Sequence, residues 1–135
     1  MAALSITAGN VRIITGRYKT AISGEALANG DAVRLVAGKW WKTDANDTDK
    51  DDLHGVCING ASAADLPVSI AEPGTVINIG ATTAKVVYYA GATAGSWHPV
   101  ADLTTGWAVL PGLLARDTSG TCEVIIPKLT TNTIL

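Results

Sequence analysis

Apolar positions in this chain fall in short runs of period two, broken by turn chemistry about every 8 to 12 residues. Val11, Ile13 and Ile14 make a β-branched run that ends at Gly16, and Tyr18, Thr20 and Ile22 then alternate with Lys19 and Ala21. That alternation is strand periodicity, although it carries few large apolar groups. Asn29-Gly30-Asp31 is a turn signal, because Asn and Gly tolerate positive φ. Residues 32–36 and 39–43 read as two strands joined tightly by Ala37-Gly38. Trp40 and Trp41 are adjacent, so in a strand they point to opposite faces. One belongs to the core, and the other faces a rim, a neighbouring subunit or solvent.

Residues 44–53 (DANDTDKDDL) form a loop by composition. Residues 54–59 are the next strand, with GVCI as its buried part, and 60–66 make a small-residue connection with one helical turn. Strands follow at 67–71, 75–79 and 86–89, with Glu72-Pro73-Gly74 turning the chain between the first two. Residues 91–105 read as a loop with a helical turn at 100–103. Strands at 107–110 and 113–115 flank Pro111-Gly112, and a last strand at 122–126 is stopped by Pro127.

No amphipathic helix of ordinary length appears, and no repeat of fixed period. The pattern predicts an all-β fold, a small sandwich or barrel of short antiparallel strands with an extended N-terminal arm. The expected organisation is an arm at 1–23, a β domain at 24–127 and a Thr-rich tail at 128–135, with residues 1–10 outside the core.

Composition sharpens this picture. The chain has 135 residues, enough for one domain with a core that needs no metal or disulfide staple. Hydrophobic residues are 47% but aromatics only 5%, with no Phe, so the core must be built mainly from Val, Ile, Leu and Ala. Charged residues are 16% against the usual quarter, which suits a surface of Thr, Ser, Asn and Gly or one partly covered by a partner. The net charge of −2 and the scattered basic residues argue against nucleic-acid binding. Cys57 and Cys122 sit in apolar strand-like runs and read as buried free thiols. The N-terminus lacks the basic and apolar regions of a signal peptide, and no apolar run reaches the ~18 residues that a membrane span needs.

Candidate chemistry is sparse. Asp44, Asn46 and Thr48 have the alternating oxygens of a calcium loop, but Asp49 stands at the glycine position and Gly55 where a bidentate Glu should be. A solvated loop is the better reading, and an irregular cation site stays open. His54 and His98 lie in no metal-ligand spacing and in no nucleophile motif. Gly38-Lys39 fails as a phosphate loop, with Val33 at its first glycine position and Trp40 in place of Ser or Thr. Glu25, Glu72 and Glu123 are isolated, so no acid/base pair can be named. The residues point to no enzyme and no cofactor. Trp40 or Trp41, with Trp97 and Trp107, could stack sugars, but such residues more often belong to cores or interfaces.

Three phrases carry a resemblance: GEALANGDAVRL, HGVCINGASAADLPVSIAEPGTVINIGA and VVYYAGATAGSWHPVADLTTGW. Their shared texture is G-x-x-L-x-x-G-D-A-V, a Gly-Val strand after a loop, and a Y-Y-x-x-A-T-A-G turn, spread over 24–118. In this texture the chain resembles the head decoration, or cement, proteins of tailed bacteriophages. The resemblance implies a non-enzymatic virion protein, commonly a homotrimer, that is assembled in the host cytoplasm and clamps the major capsid protein on the capsid exterior. On that reading Val11, Ile13, Ile14, Tyr18 and Ile22 of the arm are the expected capsid contacts, adding a strand to a partner's sheet. Trp41, Trp97 and Trp107 are the expected subunit contacts. Alternatives are another virion component, such as a tail or head-fibre protein, and a carbohydrate-binding β module.

Overall fold

The computed structural model describes residues 4, 6, 8–80, 82–126 and 133–134. Their strands are β1 (Arg12–Thr15), β2 (Tyr18–Ile22), β3 (Ala32–Val36), β4 (Lys39–Lys42), β5 (Gly55–Asn59), β6 (Pro67–Ala71), β7 (Val76–Asn78), β8 (Val87–Ala90), β9 (Trp97–Pro99), β10 (Ala108–Val109), β11 (Pro111–Ala115), β12 (Thr121–Val124) and β13 (Thr133–Ile134). The only helical elements among them are single 3-10 turns at Ala8–Asn10 and Val100–Asp102. One sheet has the order β1-β7-β12-β11-β8-β9 and the other β2-β6-β5-β3-β4, with β10 and β13 as a separate pair. Every pairing between strands is antiparallel, and the fold is all-β.

The two sheets pack as a sandwich, and their residues explain why. The larger core takes Ile77, Cys122, Val124, Leu113, Tyr88 and Trp97 from the six-stranded sheet, and Ala32, Val56, Ile58 and Ala71 from the five-stranded one. The other face of the five-stranded sheet holds a second core of Leu27, Val33, Trp40, Cys57, Val68 and Ile70. This sheet curls to enclose it. Ser23, just past β2, makes a parallel bridge to Trp40 on the far edge strand β4, and the Gly24 N–H donates to the Trp40 carbonyl at 2.7 Å. β5 lies between the two cores, which is why its GVCI run is apolar without alternation. The Ala37-Gly38 hairpin has φ of 51° and 82°, the doubly positive geometry that matches the twist of its strands.

One antiparallel ribbon passes through both sheets. β1 pairs with β7 in the first sheet, and β2, two residues on, pairs with β6 in the second. The ribbon turns its corner at Gly16 and Arg17. The Thr75 hydroxyl donates to the Arg17 carbonyl at 2.7 Å and accepts the Arg17 N–H at 3.0 Å, from a position that is 1% exposed. Gly16 has φ of 113°, and a Cβ there would lie 2.7 Å from the Thr75 Cα. Only glycine satisfies both conditions.

Several expectations change. Residues 12–22 are not a detached arm: β1 and β2 are the outer strands of the two sheets. Val11 is buried in the larger core, and Leu4 and Ile6 pack against it, so parts of residues 1–10 also belong to the body. The segment expected as a loop at 91–105 contains β9, and 60–66 makes turns rather than a helical turn. Pro111-Gly112 opens β11 instead of separating two strands; Pro111 sits at a register shift, where a missing N–H is tolerated. Of the tail, Thr133–Ile134 pairs with β10, and the rest lies outside the described residues.

The corner clamp makes a direct prediction. Thr75→Val leaves the Arg17 N–H without its hydroxyl partner and should cost about 1–3 kcal/mol. Gly16→Ala should destabilise by at least as much, and urea unfolding midpoints of both variants measure it.

Candidate binding face on the first two strands

Strands β1 and β2 differ from the others in their sheets by being exposed along nearly their whole length. Alternation then sorts the side chains that the sequence singled out. Ile13 turns inward and packs against the larger core, and Val11 is 7% exposed. Ile14, Tyr18 and Ile22 turn outward at 45%, 58% and 41% exposure. The arm residues therefore divide into anchors and presented groups.

An open cleft of about 280 Å³ lies beside Val11, Ile13 and Tyr18. Ile58, Asn59 and Ser69 form its floor, and Val11, Arg12, Ile13 and Tyr18 form its walls. The floor comes from β5 and β6, whose register places Asn59 opposite Ser69 and Ser69 opposite Thr20. None of the three floor residues was legible as part of a site, because only the pairing of distant strands brings them beside β1. Lys19 points the other way, with its ammonium 5.0 Å from the centre of the Trp40 ring. The cleft thus combines apolar walls, a basic margin at Arg12 and a small polar floor.

The tryptophans do not act together. Trp97 is 0% exposed and donates its indole N–H to the Gly30 carbonyl at 2.8 Å, so it is a core residue and not a subunit contact. Its placement follows from β9 being a true strand whose inward side faces Gly112, where any Cβ would collide with its ring. Trp40 is buried in the smaller core. Trp41 is half-buried over Gly24, whose missing Cβ makes room for the indole. Trp107 is also half-buried and meets His98 edge-on, with ring centroids 5.6 Å apart. A flat sugar-stacking platform would need these rings exposed and coplanar.

The polar candidates are engaged locally. His98 Nδ1 lies 2.9 Å from Asp102 Oδ2, a pair on either side of the short turn after β9. His54 Nδ1 accepts the Leu35 N–H at 2.9 Å and so joins two neighbouring strands. In the acidic loop, Asp44 accepts the Asn46 N–H and Asp47 accepts the Asp49 N–H, each closing a local turn. Burial, then the negative charges of Asp52, Asp47 and Asp49, pushes the Asp51 carboxyl up. Among the described residues no group of three or more His, Cys, Asp or Glu could hold a metal ion. Cys57 and Cys122 are buried free thiols in different cores. Burial first, and a nearby Asp charge second, pushes both up to about 12.

No protein-family profile matches this chain, and no curated protein matches it in sequence.

Two outcomes follow from this placement. Trp97→Ala should cost about 3–5 kcal/mol in denaturant unfolding, whereas a mere interface residue would leave the isolated chain's stability unchanged. Both thiols should stay unmodified by a thiol reagent at pH 8 in the native protein and react only on unfolding.

Proposed function

We propose that this protein is a non-enzymatic structural component of a tailed-phage virion that binds the outer surface of the capsid and stabilises the shell by bridging major capsid subunits. The observation that carries the reading is the exposure of β1 and β2 along nearly their whole length, with Ile14, Tyr18 and Ile22 among the exposed large apolar side chains. Exposed apolar side chains on terminal strands suit a docking surface. The resemblance in strand-and-turn texture over 24–118 supplies the identity of the partner and the homotrimeric state. The low charge content favours many weak contacts over a repeated lattice rather than a few salt-dependent ones.

In this reading the face of β1 and β2 replaces the detached arm as the capsid contact. Val11 and Ile13 hold the strand to the body, while Ile14, Tyr18 and Ile22 meet the capsid protein. Trp41 and Trp107, both half-buried, remain the aromatic residues offered to a subunit contact.

The test is occupancy on purified expanded capsids, counted by electron microscopy. Wild-type protein should decorate them and raise their heat resistance. An Ile14→Asp, Tyr18→Asp double variant should lose at least about tenfold in affinity, or 1.4 kcal/mol. Each substitution is at an exposed position, so unfolding stability should change by no more than about 0.5 kcal/mol per site. Undiminished decoration by the folded double variant would overturn the reading.

A further inference from the structure

Among the described residues β1 pairs with β7 and β2 with β6, each as the terminal strand of its sheet, and only past the end of β2 does Ser23 bridge to β4. The far ends of both sheets are covered. The Leu4 N–H donates to the Trp97 carbonyl on β9 at 2.8 Å, and β4 closes onto Ser23 and Gly24. Among the described residues, no backbone group pairs with the outer side of β1. Open edges are normally guarded by charges, proline or a bulge against indiscriminate pairing. This one has an irregularity between Ile13 and Thr15 and two nearby cations, Arg12 and Arg17, while Lys19 turns away onto Trp40.

The charge distribution selects among partners. Residues 11–23 contain no acidic side chain, while the remainder of the chain holds all 12 acidic residues and the other 7 of the 10 basic ones. The ion pairs of the described residues join Lys39 to Asp65, Lys50 to Asp47 and Arg116 to Glu123, with the His98–Asp102 contact besides. None involves Arg12, Arg17 or Lys19. A second copy of this edge would bring Arg12 and Arg17 against the same two cations, which disfavours self-pairing. A strand bearing carboxylates would meet complementary charge along the same line.

We propose that the outer edge of β1 receives an extended acidic segment of a partner protein, which adds to the sheet as a further strand. The segment's carboxylates lie against Arg12 and Arg17. Its apolar side chains cover Ile14 and Tyr18, and one side chain enters the cleft floored by Asn59 and Ser69. Main-chain bonds supply the affinity, and charge together with alternate side-chain positions supplies the selectivity. The inference rests on this face being the partner-binding face, and it goes further by fixing the partner's chemistry as an alternating acidic and apolar strand.

Fluorescence anisotropy with three labelled octapeptides tests it: acetylated alternating Val-Glu, its Val-Lys counterpart, and the Val-Glu peptide N-methylated at alternate residues. The Val-Glu peptide should bind, with affinity falling as salt rises, and amide exchange over 12–15 should slow on binding. The Val-Lys and N-methylated peptides should each bind at least about tenfold more weakly, as should Val-Glu to an Arg12→Glu, Arg17→Glu variant. Equal binding of the basic or N-methylated peptide, or no binding of the acidic one, would overturn the inference. Capsid decoration separates the two readings. Decoration without peptide binding overturns strand addition alone, and peptide binding without decoration overturns the capsid reading while supporting this one.

Discussion

The Thr75 hydroxyl, bonded both ways to the backbone of Arg17, fixes the point at which one strand leaves the first sheet and enters the second. The sandwich depends on that corner. If the chain ran straight past Gly16, β2 would not reach β6, and the smaller core of Trp40, Cys57 and Ile70 would lie open on one side. A threonine that is almost fully buried meets both polar groups at the bend, so the corner leaves neither the Arg17 N–H nor its carbonyl unsatisfied. Glycine at position 16 gives the backbone its positive φ and leaves space for Thr75.

The same corner produces the exposed face of β1 and β2. A strand that serves two sheets in turn can be the terminal strand of both, and among the described residues nothing pairs with the outer side of β1. The fold secures that strand from beneath, through Val11 and Ile13 in the larger core and the Lys19 ammonium over Trp40. What is left exposed is Ile14 on β1 and Tyr18 and Ile22 on β2, with Arg12 and Arg17 nearby in the chain. A preorganised edge loses little conformational entropy when a partner docks, which a detached arm would lose in full.

Local signals in the sequence were enough to place β3 and β6 at the residues where they occur, because turn residues flank both and Val68 and Ile70 alternate in β6. They failed at β9, where Trp97-His98-Pro99 is too short to show a period. The apparent arm was misleading for a physical reason. An edge strand needs few large apolar residues, so residues 12–22 look unattached until their pairing with 67–78 is known. Trp97 could be taken for core only on the ground that a chain without Phe must spend its tryptophans there. The cleft floor of Ile58, Asn59 and Ser69 had no sequence signal at all, being assembled by strand register alone.

The central claim is that the outward side of β1 and β2 is where this protein meets its partner. Hydrogen–deuterium exchange on the protein free and bound to expanded capsids tests that claim most directly. The account predicts slowed exchange concentrated in residues 12–22, with residues 97–107 unchanged. Protection confined to another surface, with 12–22 exchanging at the free rate, would contradict it.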